Sequence, residues 1–177
     1  ATIANFNAAS FAMRGVGQNT IIVYFEPPVA VLVDDFVVPS VQTQLLDTFD
    51  ISQVEVLRGP QGTLFGKNTV AGALSLTTRK PTDKFEASAN VEAGGFGTRN
   101  VGVWLGGAVA PGGVQLSLSA SQEKSNGWVD NLTQPDTRPG SGDGKNVRGF
   151  ARFKLGADTQ VDAALWHYRY RGVPMFG

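Results

Sequence analysis

The most constraining feature of this sequence is an alternation with period two that persists through its second half. Phe85, Ala87, Ala89, Val91 and Ala93 interleave with Glu86, Ser88, Asn90 and Glu92. Val101, Val103, Leu105 and Val109 form a second apolar set. Val114, Leu116, Leu118 and Ala120 form a third, against Gln115, Ser117, Ser119 and Ser121. A fourth sets Val147, Ala151, Phe153 and Leu155 against Arg148, Arg152 and Lys154. In the fifth, from Gln160 to Tyr170, the apolar Val161, Ala163 and Leu165 oppose Trp166, Tyr168 and Tyr170. Successive side chains of a strand point to opposite faces, so each set predicts a strand with two unlike faces. Five consecutive strands of this kind predict an antiparallel sheet.

Two architectures satisfy that pattern: a soluble sandwich with one wet face, and the wall of a membrane β-barrel. Alternation alone leaves both open. Strands of roughly 10 residues exceed the ~5–6 usual in globular domains and favour the barrel. The connections match a barrel in part, since only one of the two outer links is long. Ala110-Pro-Gly-Gly113 and Gly156-Ala-Asp-Thr159 predict tight turns. They alternate with the 94–98 link and a polar, Gly-rich stretch from Lys124 to Asn146, whose Gly140-Ser-Gly-Asp-Gly144 segment reads as a mobile loop. The longest apolar runs, 21–25 and 29–33, fall far short of the ~18 residues of a spanning helix. Ala1 opens without the basic and apolar regions of a signal peptide, so any such leader is expected to be absent from this chain.

Before Pro81 the grammar differs. Val29-Ala-Val-Leu-Val33 ends at Asp34-Asp35, and Val54-Glu-Val-Leu57 ends at Arg58-Gly-Pro60. Such continuous runs predict strands covered on both faces. Val41, Leu45, Leu46 and Phe49 fall at helical spacing behind a capping Ser40, and 73–78 predicts another strand. This half reads as a small α+β domain. The 15 basic and 15 acidic residues balance, which excludes a nucleic-acid binder that relies on bulk attraction to phosphate. With no Cys and one His, disulfides, thiolate metal sites and two-His metal motifs are excluded as well.

The stretch Val54-Glu-Val-Leu-Arg-Gly-Pro-Gln-Gly-Thr-Leu-Phe-Gly-Lys-Asn-Thr-Val-Ala-Gly-Ala-Leu74, with the exit Thr78-Arg-Lys-Pro81, closely resembles the plug domain of TonB-dependent outer-membrane receptors. Met13-Arg-Gly-Val-Gly17 resembles an upstream segment of the same family. Val29-Ala-Val-Leu-Val-Asp34 resembles its V-x-V-Y-V-D-G strand and turn, although Asp35 stands where Gly is usual. The resemblance is dense over 10–81 and looser over 82–177. It implies an α+β plug domain over residues 1–81, lacking its beginning, followed over 82–177 by about five antiparallel strands of an incomplete transmembrane β-barrel of 22 strands. Five strands cannot close around a plug. The family's N-terminal TonB box has no recognisable counterpart here. The implied function is active uptake of a scarce nutrient, most often a ferric siderophore, across the bacterial outer membrane. The implied partners are a TonB-type energising protein, outer-membrane lipid and a small-molecule substrate; no cofactor, metal or nucleic acid is expected, nor enzymatic activity. A soluble or surface-attached β-rich binding module is the alternative from the residues alone.

Individual residues follow from the same comparison. Arg14 and Arg58 match family arginines that latch the plug through barrel glutamates, which would lie beyond Gly177; a solvated loop arginine is the plain alternative. Glu55 reads as solvent-facing. Gly15, Gly59, Pro60, Gly62 and Gly66 form the plug's turn motif, since Gly permits positive φ and Pro fixes its own. The 62–68 segment misses a P-loop by one residue and lacks the Ser or Thr for Mg²⁺. Asp34 and Asp35 read as turn formers. Trp166, Tyr168 and Tyr170, with His167 among them, suit an aromatic girdle at a membrane interface. Trp104 and Trp128 carry no role beyond packing.

Overall fold

A computed structural model describes residues 11–17, 28–38, 49–65, 69–110, 112–132, 138–156 and 158–173. The chain divides between Arg79 and Lys80 into two compact units. The expected helix over 41–49 lies outside the described residues except for Phe49.

In the first unit, β1 (Ala12–Met13) and β2 (Val16–Gly17) form a minimal hairpin. Its two-residue turn puts both Arg14 (φ 51°) and Gly15 (φ 79°) in the left-handed region that right-twisting hairpins demand. A second sheet runs in the order β4–β3–β6–β5, from β3 (Val29–Val33), β4 (Phe36–Val37), β5 (Ile51–Arg58) and β6 (Gly72–Thr78). β3 is parallel to β6 and antiparallel to β4. As expected from its unbroken apolar run, β3 is buried on both faces, with Ala30 and Leu32 packing on Ala73, Leu57 and Phe65. β5 does not follow that rule. It is an edge strand, and Val54 and Val56, which share one of its faces, are exposed. A short helix, α1 (Gly62–Phe65), leads towards β6.

The second unit is one antiparallel sheet of five strands in sequence order: β7 (Glu86–Ala93), β8 (Arg99–Ala110), β9 (Val114–Asn126), β10 (Ser141–Lys154) and β11 (Gln160–Gly172). Neighbours in sequence are neighbours in space throughout. Each of β7 and β11 pairs on one side only, so the sheet is open. The turn at one end closes by Gly113 N–H to the Ala110 carbonyl at 3.1 Å, and the next by Leu155 N–H to the Thr159 carbonyl at 2.8 Å. At the other end the connections span 94–98 and 127–140. The Gly140–Gly144 stretch, expected to be a mobile loop, is instead mostly strand: β10 begins at Ser141. There Gly142 lies opposite Gly172 and Gly144 opposite Tyr170, and a β-carbon on Gly142 or Gly172 would overlap the Tyr170 ring. The glycines thus make a bed for an aromatic side chain.

Candidate functional site

Register decides which side chains share a face, since residues directly opposite point the same way. One face carries Val91, Val101, Val103, Leu105, Leu116, Leu118, Val147, Phe153, Val161 and Leu165, and it is exposed; Val91 is 75% and Leu165 81% accessible. The other carries Ser88, Trp104, Ser119, Arg148 and Trp166 in one lateral row, with Asn146 in the next row on one side and Gln115 two rows away on the other. Over β8–β10 that polar face is the buried one: Gln115 is 5%, Arg148 7% and Trp104 2% accessible. The sheet is inside out relative to a water-soluble protein. Covering about ten such apolar side chains, each partly buried already, would stabilise by about 1 kcal/mol apiece. The sum, about 10 kcal/mol, rivals the whole stability of an ordinary domain. This face is therefore one that an apolar cover stabilises strongly.

The polar face is a cross-strand network. Trp166 Nε1–H donates to Asn146 Oδ1 at 2.5 Å, and the Arg148 guanidinium stacks 5.4 Å from the Trp166 ring centroid. Trp104 lies over Gly106, where a β-carbon would overlap the indole. Trp166, Tyr168 and Tyr170 stand opposite Arg148, Asn146 and Gly144. They belong to the polar face, whereas a girdle at a membrane interface carries its rings on the apolar face. Trp104, assigned only to packing by sequence, is the largest fully buried side chain among the described residues. His167 stands opposite Val147 on the apolar face.

The chain leaving the first unit is fastened on both sides of the Arg79–Lys80 boundary. In the first unit, Thr78 N–H and its hydroxyl donate to the two carboxylate oxygens of Asp34 at 2.9 and 2.7 Å. Arg79 N–H donates to the Asp50 carbonyl at 2.7 Å, and the Ser52 hydroxyl to the Thr77 carbonyl at 3.0 Å. Asp34 and Asp35 form a left-handed turn (φ 49° and 68°), as turn chemistry predicts, but the grip of Asp34 on Thr78 has no signal in sequence. In the second unit, Lys80 Nζ sits 4.4 Å from the centroid of the Phe150 ring, which Arg152 also approaches at 5.7 Å. Arg152 forks onto Asp162 with two bonds of 2.9 Å across β10–β11. Asp83 accepts from Gln115 at 2.7 Å and pairs with Lys154 at 3.5 Å. The Gln115 bond, and then the Lys154 charge, hold the Asp83 carboxyl below its ordinary range.

The turn motif is described in part. Gly59 (φ 91°) follows β5 and donates to the Ala71 carbonyl, Pro60 follows it, and Gly62 opens α1; Gly66 lies outside the described residues. Gly72 explains the small-residue strand that follows. Its φ is 149°, and a β-carbon there would overlap the Leu57 carbonyl oxygen and come within 2.6 Å of Met13 Sδ. Arg14 sits at the β1–β2 turn and Arg58 at the end of β5; both are exposed, and neither forms an ion pair among the described residues. Glu55 accepts from Gln53 at 2.7 Å on the exposed side of β5.

A small α+β domain followed by a meander with a buried polar face and a bare apolar face defines a class: a plugged barrel of the outer membrane. Residues 3–73 match the model of the TonB-dependent Receptor Plug Domain. The chain is 35% identical over 78 residues to the pesticin receptor of Yersinia pestis, covering 44% of this chain and 11% of that one. It is 31% identical over 139 residues to the "Probable TonB-dependent receptor BfrD" of Bordetella pertussis, covering 75% of this chain and 17% of that one. The crystal structure of the ferric yersiniabactin uptake receptor FyuA from Yersinia pestis superposes with a TM-score of 0.87 at 21% identity, over 97% of this chain and 27% of that one. The chain belongs to the TonB-dependent receptors of the outer membrane. It comprises an α+β plug and the antiparallel strands of an incomplete transmembrane barrel, and spans between a tenth and a fifth of the curated relatives just named.

Proposed function

We propose that this chain is the plug and opening wall of a receptor that takes up a ferric siderophore across the outer membrane, driven by a TonB-type energising protein. The observation that carries the reading is the inverted sheet. Its polar, buried face suits a wet lumen and its bare apolar face suits lipid, whereas a soluble binding module would bury Val103, Leu105, Leu118 and Leu165 against protein. The likeness to FyuA, a ferric yersiniabactin uptake receptor, supports the substrate class.

The physical task is to seal and then open. A plug held by hydrogen bonds and ion pairs can be pulled free at low cost, because water substitutes for each broken contact. Residues 1–81 act as the plug and 82–177 as the wall. Arg14 and Arg58 serve as latches towards carboxylates of the wall, where a guanidinium fork holds better than an ammonium. The test is growth of a siderophore-dependent strain carrying the full-length receptor, with ferric siderophores as the iron source. Growth is expected only with the energising protein present; growth that persists without it refutes energised uptake. Arg14→Ala and Arg58→Ala are expected to raise leakage of small antibiotics, and unchanged permeability in both removes the latch.

A further inference from the structure

The chain entering the wall is fastened to strands with which it does not pair. β7 pairs only with β8, yet the residues just before it, 80–85, are held by β9 and β10. Asp83 reaches Gln115 on β9 and Lys154 on β10, and the Lys80 ammonium caps the Phe150 ring on β10. The anchors on the wall are fixed points. Gln115 and Phe150 are buried, and the Arg152–Asp162 fork ties β10 on to β11. The segment itself is stiff. Pro81 is buried, fixes its own φ and disfavours a helical Lys80. The Thr82 hydroxyl accepts from Lys84 N–H at 3.3 Å and donates to the Glu86 carboxylate at 2.9 Å. Next to it, a β-carbon on Gly107 would come within 2.9 Å of the Phe85 Cα, so β8 is bare of a side chain where the segment runs on to the sheet.

From this arrangement we infer that residues 80–85 form a strap that grounds tension arriving from the plug on β9 and β10, so that β7 stays zipped to β8. The inference rests on the reading of energised uptake, in which the plug is pulled. The bonds of an antiparallel ladder lie perpendicular to its strands. Tension applied at Glu86, the first residue of β7, loads the β7–β8 pairs one at a time, from Glu86–Gly106 towards Ala93–Arg99. Each pair is weak alone, and β7 has no second neighbour to hold it. Tension that meets the strap must instead break the Asp83 bonds and the Lys80–Phe150 contact together. It also falls on strands paired on both sides: β9 with β8 and β10, β10 with β9 and β11. Neither can be peeled from an edge. A plug released as far as Arg79 then leaves the wall whole, whereas a lost β7 would open it.

The test is single-molecule pulling on the full-length receptor held in a lipid bilayer, through a handle on the thiol of an Asp35→Cys variant. Force is applied directly, so the trace is independent of energising protein and cargo; a failed growth test would refute energised uptake and leave the trace standing. Unravelling from residue 35 to Arg79 frees about 44 residues, roughly 15 nm of chain. Release of the strap and of β7 through Ala93 adds about 14 residues, roughly 5 nm. With the strap intact, those 5 nm are expected as a separate event, at a higher force than the last event of the plug. Lys80→Ala combined with Asp83→Ala alters only the strap side of these contacts. It is expected to abolish the separate force peak, so that the 5 nm follow the plug in the same release. A single release of about 20 nm with the strap intact overturns the inference, as does a folded double variant that keeps the separate peak at unchanged force. Heat-modifiable migration reports folding; should the double variant fail it, the trace with the strap intact decides.

Discussion

Replacing Asp34 separates two contributions that the structure superimposes at one residue. Its carboxylate takes both the N–H and the hydroxyl of Thr78, which is 2% accessible, while its own backbone sits at φ 49°. Charge-assisted bonds contribute about 1.5–3 kcal/mol each when the donor left behind is buried. With Asp34 only half-buried, about 2–4 kcal/mol for the pair is the working figure. A left-handed backbone costs an alanine about 1 kcal/mol more. Asp34→Ala should therefore destabilise by about 3–5 kcal/mol, Asp34→Gly by about 1 kcal/mol less because it tolerates the turn, and Asp34→Asn least. The assay is native-state hydrogen exchange at the Thr78 amide in the full-length receptor, where 3 kcal/mol is roughly a 150-fold faster opening. Protection in Asp34→Ala within about threefold of the unaltered protein would refute the clasp. A glycine variant less protected than the alanine would refute the backbone argument.

Asp35→Gly should stabilise the plug by about 1 kcal/mol, read as a raised denaturation midpoint, because its exposed residue occupies φ 68° without a side-chain bond among the described residues. Gly72→Ala should cost roughly 3 kcal/mol or more and expose the β5–β6 amides to exchange, since the new methyl meets the Leu57 backbone rather than a movable side chain. Phe150→Leu removes the ring shared by Lys80 and Arg152, so amides of residues 80–86 should exchange several-fold faster while β8 and β9 stay protected. Acid should loosen the same segment. With the Asp83 carboxyl held low, its contribution is complete above the ordinary aspartate value of about 3.9 and is lost as pH falls through its lower folded value.

Much of the architecture was legible before any coordinates. Alternation at Val101, Val103 and Leu105 or at Leu116, Leu118 and Ala120 is a local property of extended backbone, and it located all five wall strands. The Arg58-Gly-Pro60 turn and the Ala71-Gly72-Ala73 strand are likewise local, because steric demands on φ act within a residue or two. Pairing is where local reasoning stopped. Trp166, Tyr168 and Tyr170 were correctly set apart from Val161 and Leu165, but which side faces lipid depends on the rows formed with Asn146 and Arg148, some 20 residues away in sequence. Gly140 to Gly144 reads as a loop in isolation and becomes strand because Tyr170 arrives to cover it. The hold of Asp34 on Thr78 likewise joins residues far apart in the chain. Composition and periodicity are summed along the chain, whereas register compares residues across it. The sequence by itself therefore determined that there would be two faces, and only the tertiary structure decided what each face holds.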